Sequence, residues 1–196
     1  MLGLDQDGAF ADHVVLPWRA LHAVPATLSP RRAAYAEPVA ASLAVLRAPI
    51  APGERGLLLG QNRIAELTLR VLKAHGFRGV TCLPHNGPLP ENTFDFAIET
   101  VATEATLAGL LRAVRPGGCL VLKSRPSERI PLDIGLAVRR DLRLCAVGYG
   151  AFPEAIRLLS TLPVDDLLGE VFPLRRFEDA FAMARRSESA KLFLAP

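Results

Sequence analysis

From about residue 53 onward, short apolar runs alternate with amphipathic stretches, and this alternation constrains the fold more than any single motif. Gly56-Leu57-Leu58-Leu59 reads as a strand that stops at Gly60. Residues 62–75 set Ile64, Leu67, Leu69, Val71 and Leu72 among charged neighbours at helical spacing. Gly76 closes that helix, where a positive φ is wanted. Residues 79–83, 94–99, 119–123 and 141–147 read as further strands, and 104–114 as a helix ending in Arg115-Pro116-Gly117-Gly118. Strands and helices alternating at these lengths predict an α/β sheet of mostly parallel strands.

Several other classes fall away. Half of the 196 residues are apolar and 22% are charged, enough to bury a core and too apolar for disorder. The net charge of +3 is spread over scattered arginine pairs with only three lysines, so no nucleic-acid partner is expected. No apolar run approaches the ~18 residues needed to span a bilayer. The opening carries Asp5, Asp7 and Asp12, which predicts no secretion signal and a cytoplasmic protein without a membrane partner. Cys82, Cys119 and Cys145 lack CxxC spacing and form no disulfide framework, and Cys119 is expected to be buried packing.

The flanks read differently. Residues 9–16 and 20–24 look like two short strands separated by Pro17-Trp18-Arg19, and residues 30–48 like an alanine-rich helix broken or kinked at Pro38. Helices are expected over 152–162 and 176–187, and strands over 169–173 and 190–195. The organisation predicted is a first segment (1–48), a shortened nucleotide-binding domain (49–150) and a returning C-terminal segment (151–196).

Residues 84–93 carry Pro84, Asn86-Gly87, Pro88 and Pro90 between two strands. Ten extended residues reach about 33 Å. Returning along a short strand and stepping two strands sideways needs only about 20 Å. A bare coil makes that crossing, with no room for a helix as well.

The strand–turn–helix at Gly60-Gln61-Asn62-Arg63-Ile64-Ala65 has the form of a cradle for a dinucleotide pyrophosphate. Against GxGxxG only the first glycine stands, Ala65 is a permitted third residue, and Asn62 puts a side chain where backbone should meet phosphate. Taken alone, a strand-to-helix turn with one glycine is more often purely structural.

Its context narrows the reading. Asp7–Pro17 (DGAFADHVVLP), Ala36–Arg47 (AEPVAASLAVLR), Gly53–Gly60, Arg70–Gly76, Phe94–Thr100 and Leu110–Ser124 (LLRAVRPGGCLVLKS) follow in order. This set resembles the zinc-type alcohol dehydrogenases of the medium-chain dehydrogenase/reductase family, and the tail from Phe152 resembles that family's returning catalytic segment. The resemblance implies a Rossmann-like sheet with a remnant of a GroES-like catalytic domain, and NAD or NADP as cofactor. It implies cofactor contacts from Gly60, Asn62, Arg63 and Ala65 at the pyrophosphate and from Thr100 and Val101 in the nucleotide cleft. Lys123 is placed near the nicotinamide.

Several features depart from the family. Its catalytic-zinc ligands from the first domain are not matched, and Glu37, at a position that can supply one ligand, cannot hold Zn²⁺ alone. Glu37 is expected instead to pair with a nearby arginine, and zinc is not expected in this chain alone. His13, His22, His75 and His85 lack ligand spacing. Leu83-Pro84-His85 offers no carboxylate to read a ribose, and Thr100-Val101-Ala102 replaces a family glycine. The sequence names no catalytic residue. Two alternatives stay open beside a degenerate dehydrogenase: a non-catalytic pseudo-dehydrogenase serving as a structural subunit, and a class I methyltransferase-like protein. Unpaired strand edges predict a covering partner or a second copy of the chain, with dimerisation through the sheet edge at 141–147.

Overall fold

The computed structural model describes Gly3, residues 7–186 and residues 190–196. Five parallel strands form one sheet: β1 (Gly56–Leu59), β2 (Val80–Leu83), β3 (Phe94–Glu99), β4 (Val114–Leu122) and β5 (Arg143–Ala146), in the order β2-β1-β3-β4-β5. The α/β sheet read from the sequence is therefore present. Leu57 and Leu59 point to one face and Leu58 to the other, as the strand period of two requires. A run of apolar residues in β1 is what a strand covered on both faces needs.

One face is covered by α3 (Arg63–Ala74), whose Ala65 and Leu72 pack with Val45 and Ala48 over Leu58, Phe96, Ile98 and Val121. The other is covered by α4 (Glu104–Ala113) and α5 (Ile134–Arg139), which bury Leu110, Leu111 and Ala137 against Leu57, Ala97 and Leu120. Gly56 is required by packing: a Cβ there would sit 2.3 Å from the Phe96 ring. β4 begins earlier than expected, at Val114, and its pairing with β3 is interrupted before resuming at Cys119 opposite Phe96. The short helix α5 is absent from the sequence reading, because Asp133 caps it through Leu136 N–H and only six residues follow.

Residues 84–93 cross from β2 to β3 over β1 without a regular element. The coil packs on α4 through Leu89, whose Cδ1 would lie 3.3 Å from a Cβ at Gly109.

Residues 30–48 form not one helix but α1 (Pro30–Ala33), α2 (Ala36–Leu43) and a 3-10 turn, Ala44–Arg47. The break falls at Ala34-Tyr35, ahead of Pro38. Pro38 lies in the first turn of α2, where a missing N–H costs no intrahelical bond. A third core joins Tyr35, Val39 and Leu43 to Leu67 and Val71 of α3 and to Ile156 and Leu159 around α6 (Phe152–Leu158). Arg70 fastens this packing with two bonds to Asp166, both 2.6 Å.

The strands expected at 9–16 and 20–24 are not present. The segment is largely irregular, with a 3-10 turn at Trp18–Ala20, and Val15 is 97% exposed. A lone hairpin is at best marginal in water, and no described strand lies beside this one. β6 (Leu168–Pro173) and β7 (Lys191–Ala195) pair with each other, parallel, as a separate two-stranded sheet. α7 (Phe177–Arg186) connects them; position 187 of the expected helix lies outside the described residues.

Candidate functional site

In an open parallel sheet the ligand crevice lies at the carboxyl ends of the strands, where the chain leaves neighbouring strands in opposite directions. Here that point falls between β1 and β3. Leu59 stands opposite Glu99, so Gly60 and Thr100 face each other across the crevice.

Gly60 takes φ +134°, and a Cβ on it would come 2.2 Å from Thr100 Oγ1. Only glycine fits there. Asn62 is the N-cap of α3, its Oδ1 accepting from Ala65 N–H at 2.9 Å, while its own C=O accepts from Glu66 N–H. Its amide nitrogen donates to Thr100 Oγ1 at 3.2 Å, and that hydroxyl donates in turn to Leu59 C=O at 2.8 Å. Asn62, Thr100 and Leu59 thus form a latch across the crevice. The Arg63 and Ile64 amides, in the first turn of α3, have no intrahelical partner and carry the positive end of the helix dipole.

Two clefts meet at Arg63. One, of about 440 Å³, is lined by Asn62, Arg63, Ile64, Lys191 and Leu192 among others. The second, of about 390 Å³, runs along Gly60, Gln61, Glu66 and Cys82. A larger hollow of about 620 Å³, lined by Phe10, Leu174 and Phe177, includes no residue of the five-stranded sheet. Arg63 Nε is buried without a hydrogen-bond partner among the described residues.

The residues expected to share one site are only partly brought together. Gly60, Asn62, Arg63, Ala65 and Thr100 meet at the turn. Val101 lies apart, its carbonyl accepting from the Thr106 hydroxyl at the start of α4. Lys123, 9% exposed, directs Nζ to the Ala41 carbonyl of α2 at 2.5 Å. Burial lowers its pKa to about 8. Glu37 pairs with Lys191 at 3.9 Å and not with an arginine. The reason is tertiary: β7 starts beside α2, which no local spacing reveals.

Two residues escaped the sequence reading. Lys191 brings a second cation to the cleft beside Arg63; burial lowers its pKa, Glu37 opposes that shift and Arg63 adds to it. Glu99, 1% exposed at the end of β3, accepts from Lys123 N–H, Ser124 N–H and Ser124 Oγ. Its signal was available: a carboxylate closing the apolar run FDFAIE.

The site fits the phosphate end of a dinucleotide in charge and backbone direction: an N-terminal helix turn, Gly60 at positive φ, an unpartnered Arg63 Nε and Lys191. The latch narrows it. At the ribose end, Leu83-Pro84-His85 supplies no carboxylate. A metal fits less well, because no three His, Cys, Asp or Glu side chains gather among the described residues and Glu37 is held by Lys191.

L-threonine 3-dehydrogenase of Coxiella burnetii is 22% identical over 228 residues, matching 98% of this chain and 66% of the relative. Sorbitol dehydrogenase of Bacillus subtilis is 23% identical over 227 residues, matching 97% and 64%. In sequence and in fold the chain is similar to dehydrogenases of the medium-chain type. It spans just under two thirds of the length of these medium-chain relatives. An Escherichia coli alcohol dehydrogenase complexed with NADH shares the fold at a TM-score of 0.88 and 17% identity, matching 100% of this chain and 68% of that one. No family model matches the chain. Similarity to dehydrogenases along nearly the whole chain favours the dehydrogenase reading over the methyltransferase alternative. Among the described residues, no helix is long and apolar enough to cross a membrane.

Proposed function

We propose that this chain is part of an alcohol dehydrogenase-like oxidoreductase whose NAD(P) site persists in degenerate form. The observation that carries the reading is the Gly60 turn at the strand-end crevice, with Arg63 and Lys191 lining the cleft beside it. The dinucleotide, when bound, supplies the hydride chemistry. The chain's own part is to hold it. The Arg63 and Ile64 amides and the Arg63 and Lys191 side chains meet the pyrophosphate, and Gly60 keeps the strand end clear of a side chain. No step is assigned to zinc. The exposed apolar segment around Phe10, Val15 and Trp18, and the two-stranded β6–β7 sheet, support a covering partner or second copy. Three free cysteines support a cytoplasmic setting.

A second reading, a pseudo-dehydrogenase without cofactor, is favoured by the Asn62–Thr100 latch. Calorimetric titration with NADH and NADPH separates the two. Saturable binding that tightens about tenfold in Asn62→Gly, worth about 1.4 kcal/mol, supports a degenerate but working site. No binding of either nucleotide up to millimolar concentration, in both proteins, leaves the non-catalytic reading.

A further inference from the structure

Away from the crevice, two thiols lie together on the α3 face of the sheet. Cys119 Sγ on β4 donates to Cys145 Sγ on β5 at 3.7 Å. Cys119 is 1% exposed, packed with Phe96 and Val121, while Cys145 is half-buried on the edge strand. The two therefore differ in access: a small oxidant reaches Cys145 first, with Cys119 directly behind it. An accessible sulfur backed by a second thiol is the arrangement that converts a transient sulfenic acid into a disulfide.

We propose that Cys145 and Cys119 form a hydroperoxide-sensitive dithiol, with Cys145 the attacking sulfur and Cys119 the resolving one. Cys145 Sγ attacks the distal oxygen of the hydroperoxide and the O–O bond breaks. The sulfur becomes a sulfenic acid, and the remaining oxygen leaves as an alcohol, or as water when the oxidant is hydrogen peroxide. Cys119 Sγ then attacks the sulfenic sulfur; the S–O bond breaks, water leaves with the Cys119 proton, and an S–S bond forms. Two thiols lose two electrons, and the hydroperoxide gains them. Burial and the neighbouring Cys145 raise the Cys119 pKa to about 12, which keeps Cys119 protonated until the sulfenic acid forms beside it.

The strand geometry adds a consequence. Cys119 stands opposite Arg143, and Cys145 opposite Val121, so the thiols lie on a diagonal of one face. Closing them to a bonded distance of about 2.05 Å requires the four-residue edge strand β5 to shift along β4, to which it is already hydrogen-bonded. Oxidation thus clamps the edge of the sheet.

The test is hydrogen peroxide added to the folded chain, followed by unfolding, alkylation and peptide mass mapping, with exposed Cys82 as internal comparison. The expected result is loss of both alkylatable thiols at 119 and 145 and a linked peptide pair lighter by two hydrogens. In Cys119→Ser, dimedone captures a sulfenic acid at Cys145. In Cys145→Ser, Cys119 stays a thiol. The proposal is overturned if Cys119 and Cys145 are recovered as thiols when Cys82 is already oxidised. It is equally overturned if Cys119 oxidises as readily in Cys145→Ser as in the parent chain.

Discussion

The five-stranded sheet and the segment from residue 7 to 27 share a vocabulary of short apolar runs and differ in outcome. In the sheet, Leu57, Leu58, Phe96, Ile98 and Leu120 are wholly buried. In the opening segment, Val15 and Trp18 stand 97% and 79% exposed, and the strands expected there do not form. The difference lies in neighbours. β1 has β2 and β3 on either side and a helical layer on each face, whereas no described strand flanks residues 9–24. An apolar run becomes a strand only when another backbone completes its hydrogen bonds.

The comparison breaks most visibly under core truncation. Phe96→Ala is expected to cost about 3–5 kcal/mol, and Trp18→Ala less than about 0.5 kcal/mol, in urea unfolding of the isolated chain. A Trp18 cost approaching that of Phe96 would mean that the opening segment is docked in solution.

The next largest effect belongs to Lys123, buried where the sheet meets α2. Its pKa falls from 10.5 to about 8 on folding, chiefly through burial, so between those values the unfolded chain holds the extra proton. Stability therefore rises as pH climbs through that window, by up to on the order of 3 kcal/mol. Below pH 8 both states are charged and the burial penalty stands in full. Lys123→Met should flatten the rise, read as unfolding midpoint against pH; an unchanged slope would refute the assignment.

Smaller again is the cap. Asn62→Ala should lower stability by about 1 kcal/mol and Asn62→Gly by only a few tenths, measured by thermal unfolding. Equal losses would mean that the Thr100 bond, and not the cap, carries the stabilisation.

The smallest effect is at the Arg70–Asp166 bridge. The hydrogen bond from Arg70 holds the Asp166 carboxyl below its ordinary value. A depressed folded pKa contributes stability above the unfolded value near 4, which is lost as pH falls through the folded one. Asp166 is 62% exposed, so the pair contributes at most about 1 kcal/mol and weakens with salt. Asp166→Asn should remove that share of the acid sensitivity in a pH series of unfolding midpoints.

Much of the candidate site was legible in the chain itself. Gly60 precedes a helix with Asn62 as a cap because glycine alone tolerates that φ, and asparagine both caps and intrudes. Residues 84–93 cross as a coil because their length and prolines leave no room for a helix. These are local consequences of backbone freedom and reach, carried by residues adjacent in sequence. The five strands of the sheet, β1 among them, are each marked by an apolar run, although β4 begins earlier than its run suggests.

What tertiary structure decided is which distant groups meet. Thr100 locks to Asn62 because β3 lies beside β1. Lys191 reaches Glu37 and the Arg63 cleft because β7 returns beside α2, and Lys123 turns to Ala41 instead of opening to the cleft. Cys119 finds Cys145 because β5 follows β4 in the sheet. Each of these pairs is separated by at least 26 residues, and no spacing rule connects them. Periodicity marks where elements can form, because it depends on neighbours in the chain, but residues 9–24 show that an apolar run with no strand beside it forms none. The pairing of side chains depends on how the elements stack, which only the folded sheet determines.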